Sequence, residues 1–382
     1  MNMPNTAFTA RPRTLLEKFT RLNWGIIYLL IALAFIGVIM HFSVSAGSWA
    51  GMPLTHGLRF ATMLVLMIGF ALIDVRVWIA IAYPLYAVGM LLLAAVAVFG
   101  DTRMGATRWL DIGPISLQPS EVMKVAIVLA LARYYHQLDP RRAGSLLWML
   151  PPLAMIGAPV ALVMHQPDLG TAMLIALAGL AIMFLAGLRW RYIVPALIAG
   201  AVGAVGAYRF VLHDYQRDRI NTFLDPSSDP LGTGYHVMQS KIAFGSAGLF
   251  GRGYLQGSQS QLDFLPEKHT DFIFTMICEE FGLLGGFLVL FLFGLLMALA
   301  VGVAIRARSL FGRLAAGGVA ATLACYVLIN TAMVIGLVPV VGIPLPLISF
   351  GGTAMMTLMA GFAIVLSIDL HRDQTGARGL LW

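Results

Sequence analysis

The sequence predicts an all-α polytopic membrane protein of about ten transmembrane helices, on three observations. Its 382 residues are 59% hydrophobic and 11% charged, against about 45–50% and about 25% in soluble globular domains. The apolar residues gather into ten runs separated by polar segments, and a helical span needs roughly 20 such residues. The basic residues are shared unequally between alternate connecting segments, the asymmetry that orients spans in a bilayer. The same composition excludes a disordered chain, a secreted disulfide scaffold and a soluble enzyme of ordinary build.

The elements follow in order within a single transmembrane domain covering residues 1–382. Residues 1–23 form a polar, basic cytoplasmic tail. The run Trp24–Phe42 is too long for a signal-peptide core and is read as a retained first span. Further spans are expected near Leu58–Ile73, Val77–Phe99, Ser120–Tyr135, Leu146–Met164, Gly170–Leu188, Tyr192–Leu212, Phe272–Ile305, Leu314–Leu337 and Phe350–Leu370. The eighth is long enough to tilt or to project beyond the bilayer. Fifteen of the 25 Lys and Arg fall on the N-terminal side of the membrane, and only Arg59, Arg103 and Arg108 on the short segments opposite. Both termini are therefore expected in the cytoplasm. The net charge of +7 suits anionic lipid, and no basic block with interleaved aromatics points to nucleic acid. Cys278 and Cys325 lie inside apolar runs, so neither a disulfide framework nor a metal-ligand spacing is present.

One connecting segment, residues 213–270, is too long to be a simple link and is expected on the extracytoplasmic side. Asp225-Pro226 and Asp229-Pro230 are turn signals within it. In Gly234–Phe250, Val237, Met238, Ile242 and Ala243 can share a helical face, which predicts a short interfacial helix, lying at the membrane surface or dipping into it.

Ionisable groups within spans cost on the order of 2.5–3.5 kcal/mol each at a helix centre, so they are candidates for function. Glu121 and Lys124, three residues apart, share a helix face. They form either a self-neutralising pair at the start of span four or the lining of a polar cavity that opens outward. Glu267, Lys268, His269 and Asp271 crowd the entry to span eight. Asp271 suits a helix N-terminus, and a carboxylate held there can also act as a general base. His269 is read first as a hydrogen-bonding turn residue, Asp168 as a helix cap, and Glu279 and Glu280 as partners of a neighbouring helix. Trp109 is either an interfacial tryptophan or a platform for stacking a sugar. The uncharged segment Val338–Gly352 holds Pro339, Pro344 and Pro346, so its backbone must be buried in protein or line a cavity. Ser349 and Gly351-Gly352 allow it to turn there. The series Gly200, Gly203, Gly206 predicts close helix packing.

Taken together, several segments resemble one family along nearly the whole chain. They are Trp109 with Gln118-Pro-Ser-Glu-Val-Met-Lys124, Gln166-Pro-Asp-Leu-Gly170, Phe223-Leu-Asp-Pro226, Gly234-Tyr-His-Val-Met-Gln-Ser-Lys-Ile-Ala243, Phe264-Leu-Pro-Glu-Lys-His-Thr-Asp-Phe-Ile-Phe274 and Pro344-Leu-Pro-Leu-Ile-Ser-Phe-Gly-Gly352. Their order and spacing are similar to those of the SEDS family (shape, elongation, division and sporulation). The runs Gly257–Pro266 and Val340–Pro346 resemble the rod-elongation branch more than the division branch. Ala247 stands where the family usually has Gly, and Phe350 where Tyr is common.

The resemblance implies a peptidoglycan glycosyltransferase of the bacterial cytoplasmic (inner) membrane, its site facing the periplasm, that polymerises lipid II. It also implies a class B penicillin-binding protein of the penicillin-binding protein 2 type as transpeptidase partner, within the elongation machinery. The family's essential carboxylate maps onto Asp271, and Glu121, Lys124 and Trp109 match other positions around its cavity. For such a reaction a positioned carboxylate that takes the proton of an attacking sugar hydroxyl is of use, and the departing pyrophosphate needs positive charge. Lys124, Lys268, the loop arginines and a divalent cation, magnesium or manganese, are candidates for that charge. His269 and Ser349 complete the expected substrate-binding set. Asp271 as base and Asp271 as cation ligand are both open at the level of sequence. The rival functions are a lipid II flippase, which needs polar groups accessible from both leaflets, and a scaffold for the transpeptidase.

Overall fold

In a computed structural model, residues 14–103, 106–112, 115–139, 141–142, 145–210, 214–225, 232–261, 265 and 267–376 are described. The first part of the basic tail and the turn signals at Pro226 and Asp229-Pro230 lie outside them. The helices are α1 (Leu15–Thr20), α2 (Trp24–Val44), α3 (Met52–Ala71), α4 (Val75–Phe99), α5 (Pro119–Gln137), α6 (Leu146–His165), α7 (Leu169–Leu185), α8 (Trp190–Phe210), α9 (Asp214–Leu224), α10 (Thr233–Ala247), α11 (Ser258–Gln261), α12 (Ile273–Arg306), α13 (Leu310–Val334) and α14 (Gly352–Gly376). Each of the ten apolar runs is a helix, within a few residues of the expected bounds. Among the described residues seven of them, α2, α3, α4, α6, α12, α13 and α14, are long and apolar enough to cross a membrane. Helix α7 is apolar but shorter, at 17 residues, and α5 carries Glu121, Lys124 and Arg133.

The polar content of these helices decides who stands in the middle. A charged side chain facing lipid has no partner, so a helix that carries one is placed inside. Helix α5 packs against α4, α6, α7, α13 and α14, and its residues 119–132, Val122 and Val125 aside, are buried. Helices α13 and α14 are 61% and 78% buried over their spans, against 22% for α3 and α4. The core of the bundle is thus α5, α13 and α14, with the more apolar helices as its outer wall.

Between α4 and α5 the chain forms a three-stranded antiparallel sheet, β1 (Asp101–Arg103), β2 (Ala106–Ile112) and β3 (Ile115–Leu117), in the order β1-β2-β3. Trp109 stands opposite Asp101, and Leu110 opposite Leu117. The sequence reading treated this stretch as a plain loop; strands this short carry too little alternation to be seen. The sheet lies at the same end of the bundle as the N-termini of α5, α7, α12 and α14, here called the loop end.

Within the long segment, α10 does not lie flat across the loop end. It runs beside α12 in parallel: the His236 ring meets Phe272 at 6.0 Å, Ser240 Oγ and Thr275 Oγ1 share a hydrogen bond of 2.8 Å, and Gly248 is joined to Leu283. Ser240 also donates to the Val334 carbonyl at the end of α13 (2.7 Å). The chain therefore descends about 13 Å along α12, nine residues at 1.5 Å each, before it turns back. At the turning point α12 itself breaks, with Gly282 at φ 69° and ψ −166°. The backbone groups that the break frees are taken up by the turn. Leu283 and Leu284 N–H donate to the carbonyls of Gly248 and Leu249 (3.1 and 3.2 Å), and the N–H groups of Arg252 and Gly253 donate to Glu279 and Glu280 (2.9 and 3.1 Å). Backbone meets backbone here with no room for a side chain. A Cβ on Gly251 would lie 2.2 Å from the Glu280 carbonyl oxygen, and one on Gly282 would lie 2.3 Å from Gly251 N.

Glu279 and Glu280 secure the same turn. Glu279 Oε1 accepts from Ser258 Oγ and Gln259 N–H (3.1 and 3.0 Å), and Glu280 accepts from Ser43 Oγ of α2. The expected structural role of these two carboxylates is what the geometry shows, although their partners are the re-entrant turn as well as a helix. The glycines of α8 differ from expectation: Gly203 and Gly206 face open space, so close helix packing does not account for them.

Gly282→Ala is expected to destabilise the protein by about 1–3 kcal/mol, the usual size of a forced positive-φ strain, with Gly203→Ala as the neutral control. Unfolding of purified protein in a denaturing detergent titration measures both; equal stability of the two variants would contradict the close approach.

Candidate active site

Asp271 sits in a turn, residues 267–272, between the returning chain and α12. Phe272, not Asp271, is the N-cap residue of α12, and no side chain caps that helix. What holds Asp271 is its backbone. The Asn330 amide of α13 donates from Nδ2 to the Asp271 carbonyl (2.9 Å) and to the Ile343 carbonyl (2.7 Å). Next to it, buried Ser349 donates to the Thr270 carbonyl (2.6 Å) and accepts from Leu345 N–H (2.8 Å), while Phe350 N–H donates to the His269 carbonyl (2.8 Å). The proline-rich segment before α14 is thus stitched to the turn through main-chain groups. The Asp271 carboxylate itself makes no hydrogen bond among the described residues; its Oδ2 faces Gly342, whose missing Cβ would lie 3.6 Å away.

Burial pushes the Asp271 carboxyl up from 3.8 to about 6, helped by the Glu267 carboxylate in the same turn; Arg219 of α9 and Arg108 of β2 pull it back. Glu267 accepts from Thr270 Oγ1 through Oε2 at 2.6 Å. Lys268 and His269 lie half-buried on the same turn, His269 with its ring against Phe350 at 6.4 Å.

The second expected set lies just below. Glu121 and Lys124 pair at 2.7 Å, with their side chains 6% and 2% exposed. Lys124 also donates to the Tyr326 hydroxyl, and Thr357 Oγ1 of α14 donates to Glu121 Oε2 at 2.5 Å. The pair is self-neutralising, as one of the two readings had it, and it is enclosed at the centre of the bundle rather than set along an outward opening. Tyr326 and Asn330 are four residues apart on α13, so one helix face carries both the Lys124 contact and the Asp271 anchor, about 6 Å apart along the axis. Toward the other end of the bundle the surroundings turn apolar. A small cavity next to Lys124 is lined by Val125, Val128, Val319, Leu358 and Gly361 together with Thr322, Tyr326 and Thr357.

Trp109 is half-buried on β2. Its neighbour Arg108 reaches the start of α7, donating to the Pro167 carbonyl (2.8 Å) and pairing with Asp168 (3.5 Å). Asp168 caps α7, as expected, by accepting from Thr171 N–H at 3.2 Å. Gly170 lets that helix end abut the proline-rich segment: a Cβ there would lie 2.5 Å from the Val341 carbonyl oxygen. Tyr326, Asn330, Thr357 and Arg108 were not singled out from sequence. Isolated polar residues in the apolar runs of α13 and α14 were the available signal for the first three.

A bundle of long apolar helices with polar, carboxylate-bearing residues gathered at one end defines a polytopic all-α membrane protein. The family model described as cell cycle protein, FtsW/RodA/SpoVE, matches residues 23–374. The chain belongs to this family, as its motifs resemble. The peptidoglycan glycosyltransferase MrdB of Escherichia coli K12 is 48% identical over 316 residues, covering 82% of this chain and 84% of the relative. A protein of the same name from Helicobacter pylori is 40% identical over 294 residues, 76% of each chain. Among solved structures, one described as "Structural coordination of polymerization and crosslinking by a peptidoglycan synthase complex" superposes with a TM-score of 0.80 at 32% identity, covering 92% of this chain and 99% of that one. The crystal structure of Thermus thermophilus rod shape determining protein RodA gives 0.69 at 28% identity, with 92% and 97% covered.

Breaking the buried pair from one side, by Glu121→Gln or Lys124→Met, is expected to cost about 3–5 kcal/mol, and the double variant less than the sum of the two. The same detergent titration measures this; additive losses would show that the two groups do not depend on each other.

Proposed function

We propose that this chain is a peptidoglycan glycosyltransferase that polymerises lipid II into β-1,4-linked glycan during cell elongation, with Asp271 as the general base. The observation that carries the proposal is the Asp271 carboxylate, anchored through its own main chain and left with its side chain unengaged. In the reaction the C4 hydroxyl of the acceptor GlcNAc attacks C1 of the donor MurNAc. The α-linked pyrophosphate leaves as the new β bond forms, so the carbon inverts. The hydroxyl proton passes to Asp271, whose pKa of about 6 leaves it ionised at neutral pH yet basic enough to accept a proton, the balance that general-base catalysis favours. Trp109 provides an aromatic face for a sugar, and Lys268 and His269 stand on the same turn as the base. Ser349 acts on substrate indirectly, by fixing the turn. The Glu121–Lys124 pair, fully enclosed, supports the floor of the site.

Ten spans with both termini in the cytoplasm put the loop end in the periplasm of the inner membrane. A class B transpeptidase of the penicillin-binding protein 2 type would then meet the growing strand on that side. One-sidedness argues against the flippase: Glu267, Lys268, His269 and Asp271 gather at the loop end, and below Lys124 the central helix α5 presents only apolar buried residues from Ala126 to Ala132.

A divalent cation fits this site modestly. Among the described residues no group of three or more His, Cys, Asp or Glu side chains is arranged to hold a metal. Asp271 and Glu267, in one turn, suit a magnesium- or manganese-type ion that keeps water and substrate phosphate as its other ligands. Bound there, it would supply charge to the leaving pyrophosphate.

Polymerisation of purified lipid II, with the transpeptidase partner present, tests the assignment. Asp271→Asn is expected to lower the rate at least about 100-fold; full glycan synthesis by this variant would overturn the base. A wild type that makes no glycan but moves lipid II across vesicles would favour the flippase. The wild-type rate is expected to fall as pH drops through about 6, because the base is then protonated. Glu267→Gln removes a charge that raises Asp271 and should move this midpoint downward; an unmoved midpoint would separate the acid limb from Asp271.

A further inference from the structure

No side chain of the site as described so far is assigned to the departing pyrophosphate. Of the candidates named from sequence, Lys124 is 2% exposed and engaged on both sides by Glu121 and Tyr326. A cation in that state has no free face for a phosphate. Arg108 is differently placed. It projects from β2, beside Trp109, with its side chain 31% exposed, and it is tethered only along one edge, to Asp168 at 3.5 Å and the Pro167 carbonyl at 2.8 Å.

Its tether connects it to the turn of the base through a short series of contacts. Asp168 caps α7 at Thr171. Gly170, one residue before Thr171, abuts the Val341 carbonyl and the Ile343 side chain. The Ile343 carbonyl shares the Asn330 amide with the Asp271 carbonyl, and Gly342 faces the Asp271 carboxylate. The Gln166–Gly170 motif and the proline-rich segment therefore link the Arg108 guanidinium to the turn that carries Asp271.

Resting on the glycosyltransferase reading above, we propose that Arg108 is the phosphate-binding residue that receives the pyrophosphate of the lipid-linked donor, and that Asp168 is its positioning residue. A guanidinium offers two parallel N–H donors to a phosphate, a geometry an ammonium lacks. Asp168 holds the planar group at the correct height without neutralising it fully, since the ion pair is long and one-sided. As the C1–O bond to the phosphate breaks, negative charge grows on the bridging oxygen, and a pre-placed guanidinium stabilises that charge without reorganising.

The test uses the full-length chain with its transpeptidase partner and purified lipid II, and compares wild type with Arg108→Gln, Arg108→Lys and Asp168→Asn. One probe is read beside the rate: inhibition by added undecaprenyl pyrophosphate, the product. Arg108→Gln is expected to raise the lipid II KM and weaken product inhibition at least about tenfold, the scale of a lost charge-assisted hydrogen bond. Arg108→Lys should recover part of the affinity. Asp168→Asn still caps α7 and should give a smaller rise in KM. These readouts do not depend on the folded fraction, so a less stable variant still reports. Product inhibition and lipid II KM within twofold of wild type in Arg108→Gln would overturn the proposal while leaving the enzyme assignment intact. Absence of glycan synthesis in the wild type would instead overturn the reading on which it rests.

Discussion

Inside an apolar layer a backbone N–H or carbonyl that leaves its helix has no water to turn to. This constraint governs the break at Gly282. Had α12 continued unbroken, its hydrogen bonds would have been satisfied internally and the segment after α10 would have had no reason to enter the bundle. With the break, the carbonyls of Gly248 and Leu249 and the N–H groups of Arg252 and Gly253 become the required partners. The turn is drawn down to them, and the chain must then climb back to the loop end to begin α12. Asp271 lies at the top of that climb. Its position follows from the balance of groups about 13 Å below it.

The site is held from above in the same currency of main-chain contacts. Asn330, Ser349 and the Phe350 N–H each engage a carbonyl of the 267–272 turn, and none of them occupies the Asp271 carboxylate. Precise placement of a reactive group with its functional atoms left open is what preorganised catalysis asks of a scaffold. The buried Glu121–Lys124–Tyr326–Thr357 cluster contributes differently. It ties α5, α13 and α14 together at the level where polar surroundings give way to apolar ones. A charge pair enclosed that fully adds little net stability over an apolar substitute; its value lies in specifying which helix faces meet.

Much of this was legible beforehand. The ten helices appear where apolar length and punctuation placed them, because a span must be long, apolar and internally hydrogen-bonded whatever its neighbours are. Glu121, Lys124 and Asp271 stood out because charge inside or beside a span is expensive and so needs a reason. Three things were not legible. The sheet around Trp109 is too short to show a period. The parallel descent of α10 depends on a distant glycine in α12. The role of Asn330 rests on two carbonyls, at positions 271 and 343, far apart in the chain. Asp271 also looked like a helix cap, a role for which its residue type is well suited; the structure leaves the cap to Phe272 and the carboxylate free.

The sequence by itself determined the class of the protein, the number of its apolar helices and the short roll of costly residues, since these follow from transfer energies that each residue carries with it. Tertiary structure alone decided which of those residues are spent on holding the bundle and which are left open. Lys124 and Asp271 are both ionisable and both near the loop end. One is enclosed by Glu121 of its own helix and by Tyr326 of α13, and the other is gripped through its backbone by Asn330 of α13. The Glu121 half of that enclosure is a local pattern; Tyr326 and Asn330 are brought from α13, and no local pattern records them.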